Sequence, residues 1–480
     1  MTTAEVETIK VEDARQKIGN GLALPVAFVP TPSREYREHR KISRLTLQPG
    51  APVKAAPIPP PVPIPLPFPG ARVLIWKQDP SVAEIGVRKA YLPGHVFTGP
   101  KDARIAAQGL PPVTPNAMSD LIEAPGTDAF DAVHAFAIVR ETLTMYQRAF
   151  GGAPLPWEWN SAINTDPLNV FPHAGITMNA FYSRADKALK FFYFNKPGDP
   201  AGPPFIYTCR SLDIVAHETG HAVLDGLKPN WLAGAASAQT GALHESFGDL
   251  TAIFLALSQL DQVEAVIAQT KANLHDKTFL ADLAEQFGSV LGRPNGLRNA
   301  DNDLKLSQVS NEVHDLSQVF TGGIYDVLAD MFLFERRPQL KDDAAVLYEV
   351  GGYLRSLVLR AIVAAPGTNA SFADVVNQML HFASIDGKPV QYRNFIRNRF
   401  TLREVVVSPT PLDRDHAEGT PLAAFDHESQ RLPQDRRGCC GTMQLAEYAG
   451  VDRILQNELE ELKKVAANGR HGGSGRLHRS

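Results

Sequence analysis

The sequence predicts an α+β fold in two lobes. Short alternating or aromatic apolar runs crowd the first half of the chain, whereas longer runs at helical spacing fill the second. Between them lies one short helical stretch that carries two histidines. A strand-rich part followed by a helical part packs as two lobes, and the cleft between lobes is a usual place for an active site. At 480 residues and 44% apolar content the chain can bury a sizeable core, and its length alone allows about three domains. A net charge of −4 supplies no basic stripe, so nucleic acid is not an expected partner. No apolar run reaches the roughly 18 residues that a membrane span requires, so no membrane is expected either.

In chain order, residues 1–72 read as an N-terminal arm. It has a basic run from Arg34 to Arg44, then a proline-dense stretch from Pro49 to Pro69 that favours extended polyproline II over sheet pairing. Such a stretch serves as a stiff linker or as an arm draped over the body, and composition favours the linker. Residues 73–227 read as the strand-rich lobe. Ala71 to Trp76 begins its strands, Asp128 to Phe150 has the spacing of a helix closed by Gly151-Gly152, and Phe171 to Phe194 alternates as paired strands before the turn Pro197 to Pro204. Residues 228–405 read as the helical lobe, with helices at Leu243 to Leu257, Gln318 to Glu335, Ala344 to Ala364 and Ser371 to Phe382. Residues 406–480 form an extension, loop-like from Ser408 to Arg437 and helical from Gln444 to Val465.

Cys209 stands alone and Cys439-Cys440 are adjacent, which gives no disulfide framework. Met1 to Asn20 is polar and has no apolar core of a signal peptide. The cytoplasm and export by a route that reads no N-terminal signal both stay open. The sequence does not indicate an oligomeric state.

The stretch His217-Glu218-Thr219-Gly220-His221 carries the chemistry. Four residues apart on a helix, His217 and His221 share one face. Glu218 turns away from the ligand position yet stays near enough to activate a water held there. A catalytic zinc needs a third protein donor. Gly241 to Asp249 supplies Glu245 at a distance that allows a helix end, a loop and a second helix, and Asp249 lies one turn further on the same face. An acid so placed can accept the free N–H of a zinc histidine and fix its tautomer.

At these residues the chain resembles the thermolysin family of zinc endopeptidases. Leu212 to Val223 is similar to that family's active-site helix and Gly241 to Asp249 to its glutamate-bearing helix. Asn179-Ala180-Phe181-Tyr182 resembles the edge strand that aligns substrate, Gly296-Leu297-Arg298 the segment with a substrate-binding arginine, and Val313-His314 the segment with a catalytic histidine. The likeness runs from about residue 130 to 405. It implies a two-lobe zinc peptidase with Zn2+ on His217, His221 and Glu245, Glu218 as general base and His314 as oxyanion donor. Asp249 would support the zinc histidine from behind, and protein or peptide would be the substrate. Asn179 and Ala180 would pair with its backbone, Arg298 would hold a substrate carbonyl or the carboxylate behind the zinc, and Ile214 and Leu297 would line a pocket for a bulky apolar residue after the scissile bond.

The chain also departs from the family pattern. The acid that orients the catalytic histidine falls on Val309, leaving Asp301, Asp303 and Glu312 as substitutes among which the sequence does not choose. His244 stands where the family has asparagine. Trp231 is the one aromatic residue between His221 and Glu245, where the family has an oxyanion tyrosine. Asp213 matches a Ca2+ ligand, but its partner acid falls on Ala256. Gly220 inside the helix costs about 0.5 to 1 kcal/mol relative to alanine, which points to close packing or an irregular turn. The rival function is a zinc-stabilised binding module that uses the same cleft without cutting; a small-peptide hydrolase is a second.

Overall fold

Why residue 71 begins a strand is plain from its alternation. In the computed structural model Ala71, Val73 and Ile75 are buried while Arg72 points to solvent, so one face of β1 (Ala71–Trp76) meets the core. It pairs antiparallel with β2 (Val87–Leu92). The structure describes residues 70–407 except 83, 196–204, 233–235, 291 and 293–294, together with 420–421. The expectations for the proline-rich arm, for most of the C-terminal extension and for Cys439 and Cys440 lie outside the described residues. All described residues belong to one unit, Leu66–Ser480.

After β3 (Ile105–Ala107), helix α1 (Asp128–Ala149) begins at Thr127, whose hydroxyl accepts the Phe130 N–H. It stops where Gly151 and Gly152 take positive φ. Strands β4 (Leu168–Phe171), β5 (Ala180–Ser183) and β6 (Ala188–Phe191) join β3 in a four-stranded sheet of order β3-β4-β6-β5. The first three strands in that order are mutually parallel, and β5 runs antiparallel to β6 with Tyr182 opposite Leu189. β5 is therefore one of the two edge strands. A two-stranded pair, β7 (Tyr193–Phe194) and β8 (Ile206–Tyr207), precedes α2 (Leu212–Leu227).

The remaining elements are mostly helical: α3 (Ala238–Leu257), α4 (Leu260–Thr270), β9 (Asp282–Leu283), α5 (Glu285–Val290), β10 (Arg298–Asn299), α6 (Val313–Glu335), α7 (Asp343–Ala364), α8 (Phe372–Ile385), α9 (Val390–Leu402), β11 (Val406–Val407) and β12 (Thr420–Pro421). The fold is α+β in two lobes, with α2 between them. Two helices start earlier than the apolar spacing predicts. Ser237 caps α3 by accepting the Thr240 N–H, and Glu312 caps α6 by accepting from His314 and Asp315. That second cap places His314 in the first turn of a helix. Helix α9 escaped the sequence reading because Arg and Asn interrupt its apolar face, although Tyr392, Ile396 and Phe400 are buried.

One continuous core runs through both lobes, from Val73 and Phe136 to Phe247, Phe320 and Leu357. Helix α3 is buried along its whole length, its polar side chains His244, Glu245 and Asp249 included. Among the described residues no single helix is long and apolar enough to cross a membrane.

Candidate metal centre

Helix α2 presents His217 and His221 one turn apart, with ring centroids 4.6 Å apart and Nε2 atoms 3.0 Å apart. Helix α3 brings Glu245 against them. One carboxylate oxygen lies 3.6 Å from His217 Nε2 and the other 3.7 Å from His221 Nε2. The two helices come this close because glycines face each other where they cross. A Cβ on Gly248 would meet the His217 ring at 2.6 Å, and one on Gly220 would meet Thr251 Oγ1 at 2.6 Å and the Gly248 Cα at 3.2 Å. Gly220 thus marks close packing in a continuous helix.

The outer nitrogens of both rings are occupied. His217 Nδ1 lies 3.0 Å from Asp249, and His221 Nδ1 lies 2.7 Å from Nδ1 of the fully buried His244. With a proton on each outer nitrogen, two lone pairs face one another at 3.0 Å, beside the fully buried carboxylate of Glu245. Such an arrangement calls for a cation. Two imidazole nitrogens and one carboxylate suit zinc. Without an ion, the field acts on His217 itself: burial would lower its pKa, but Asp249 and Glu245 outweigh burial and raise it to about 10. Burial holds His221 neutral, well below its usual value. Burial would raise the Glu245 carboxyl, yet His314, His221 and His217 hold it well below the usual range.

Glu218 sits beside this pair. Its Oε2 accepts the Tyr182 N–H at 3.0 Å, which ties it to edge strand β5. Its carboxylate lies within 4.8 Å of the ligand nitrogens of both histidines. His314 enters from α6 with Nε2 3.1 Å from Glu245 and Nδ1 2.7 Å from Glu312 Oε1. Of the three acids the sequence left open, Glu312 is the one on His314; Asp301 pairs with His275 instead. Arg298 forks onto Asp249, with contacts of 2.6 to 3.1 Å, and its NH2 lies 3.4 Å from His217 Nδ1. The structure therefore places this arginine on the carboxylate behind His217.

Asn179 turns its side-chain oxygen back onto the Ala180 N–H at 2.8 Å. Next to His217 and Glu218, these two residues, Ile214 and Leu297 line a cavity of about 70 Å³ whose apolar wall is completed by Leu283, Ala284 and Phe287. No periodicity in the sequence signals that contribution from 283–287, which arrives through a short strand and a short helix.

Trp231 is buried away from these groups and donates its indole N–H to the Pro366 carbonyl. Asp213 faces Asp79: burial and that second acid push its pKa up to about 6, while Ser211, Ile214 and Ala284 donate to it. Because the position of the family's partner acid is the core residue Ala256, the implied calcium pair does not fit. Two further clusters of ligand-type side chains exist among the described residues, Asp131-His173-Cys209 and His275-Asp301-Asp326. In each, a guanidinium already neutralises a carboxylate: Arg210 holds Asp131 at 2.8 Å and Arg403 holds Asp326 at 2.9 Å.

No family model and no curated protein matches the chain. Among solved structures the chain is similar to the precursor of protealysin, a metalloproteinase from Serratia proteamaculans, at 17% identity and a TM-score of 0.39 over 62% of this chain and 85% of that one.

Proposed function

We propose that this chain is a zinc-dependent endopeptidase. The observation that carries the reading is the convergence of two imidazole Nε2 atoms on the fully buried carboxylate of Glu245, with Glu218 alongside and the edge strand β5 next to it. His217, His221 and Glu245 would hold the zinc. Bound there, zinc supplies a Lewis acid that lowers the pKa of water toward neutrality.

Glu218 takes the proton of the attacking water and passes it to the leaving amine. The Tyr182 N–H holds one of its oxygens in place. His314 donates to the substrate oxygen as negative charge develops, and Glu312, accepting from Nδ1–H on the far side of the ring, favours the doubly protonated imidazolium that donation from Nε2 requires. An extended peptide adds to the edge of β5 through main-chain hydrogen bonds, which tolerates many sequences. The Ile214 and Leu297 cavity takes a bulky apolar side chain after the scissile bond.

The test compares wild type with Glu218→Gln on casein and on a peptide library, using the full chain and the chain cut ahead of residue 70, with zinc measured in each. Both proteins should hold zinc, and the variant should lose about a hundredfold or more of turnover. Wild type that holds zinc yet cuts nothing in either form would replace this reading by the binding module.

A further inference from the structure

A second cavity, of about 160 Å³, opens between α1, the end of β2, the C-terminal end of α3 and α7. It is remote from the metal centre: Ser258, on its wall, lies roughly 20 Å along the axis of α3 from Glu245 at 1.5 Å per residue. Its charges are unusual for this molecule. Arg184, Arg210, Arg298, Arg399 and Arg403 each fork onto or contact a carboxylate. Arg355, half-buried in the middle of α7, has no ion pair with a carboxylate among the described residues, and its buried Nε has no hydrogen-bond partner among them. Burial lowers its pKa and Arg148 across the cavity lowers it further, while the only groups that raise it are the phenols of Tyr146 and Tyr348.

A guanidinium withdrawn from water beside a second one is costly unless an anion joins them. Hydrogen-bonding groups for the body of such an anion stand nearby. Gln259 Nε2 and Glu141 Oε2 are buried and unpartnered among the described residues. Burial lifts the Glu141 carboxyl to about 7, so near neutral pH it serves as donor or acceptor. We infer that this cavity binds a small organic oxyanion, its head group held by Arg148 and Arg355 and its polar body reaching toward Gln259 and Glu141. Carboxylate and phosphate share the head-group chemistry the two guanidiniums recognise.

Calorimetry on the full chain with glutarate and with inorganic phosphate tests this inference. One saturable site per chain is expected for at least one probe, and the better probe identifies the head group. Arg355→Met should weaken binding at least tenfold. Arg148→Gln, on an exposed side chain that cannot disturb the core, should weaken it severalfold. Glu218→Gln should leave it unchanged. No saturable binding of either probe, or binding indifferent to Arg148→Gln, overturns the inference.

Discussion

His221 can offer Nε2 to a metal only while Nδ1 keeps its proton, and that proton needs an acceptor. His244 Nδ1, 2.7 Å away and buried, is that acceptor. His244→Asn keeps an oxygen to accept the proton and should retain zinc affinity within severalfold. His244→Leu removes the acceptor and should weaken zinc binding by about 10- to 100-fold, read by competition with a chromophoric chelator; equal affinity of the two variants would show that His244 does not orient the ring. A second buried histidine controls stability. Burial depresses His134 from 6.5 to about 4, against the pull of Asp131. Over that interval the unfolded chain binds the proton and the folded chain does not, so stability falls as pH drops from about 6.5 to about 4, by on the order of 3 kcal/mol. His134→Phe, which keeps the stacking on Phe130, should remove that part of the slope in urea titrations; an unchanged slope refutes the assignment. Two pairs that the structure brings together, His217 with His221 and Glu245 with Asp249, were legible because helical spacing puts the members of each pair on one face. The choice of Glu312 among three acids and the contact of His244 with His221 were not legible, since a contact across elements depends on where α6 begins and how α2 and α3 cross.

At the scale of elements, the α2–α3 crossing decides whether the site exists. Two glycines let the helix axes approach until Glu245 reaches the histidines, and each occupies space that a methyl group would need. Gly220→Ala gains about 1 kcal/mol of helix propensity but forces Thr251 aside, at a cost of about 1 to 3 kcal/mol. Gly248→Ala strikes the His217 ring and should reduce zinc affinity at least tenfold with little change in melting temperature of the zinc-free protein. An affinity equal to that of wild type would show the crossing to be looser than described. The sequence made Gly220 conspicuous as a helix breaker in a helix, whereas Gly248 passed unnoticed between two acids. Strands were legible where one face is buried, as in β1. The short pair β9 and β10, two residues each, carries no periodicity from which to be read, yet it delivers Leu283, Leu297 and Arg298 to the cleft.

For the whole molecule, the α+β class read from the sequence is that of the fold, because strand-like and helix-like periodicities occupy largely separate parts of the chain. What sequence could not supply is the charge balance of the interior. Three sets of metal-type side chains cluster among the described residues, but in two of them arginine already satisfies a carboxylate. Of these three sets, the one at His217 and His221 has two imidazole nitrogens facing each other beside the fully buried carboxylate of Glu245. X-ray absorption at the zinc edge of the zinc-loaded protein distinguishes these sites directly. Binding at His217, His221 and Glu245 gives two imidazoles at about 2.0 to 2.1 Å with oxygen and no sulfur; a sulfur neighbour at about 2.3 Å, placing the ion at a cysteine, or fewer than two imidazoles, contradicts it.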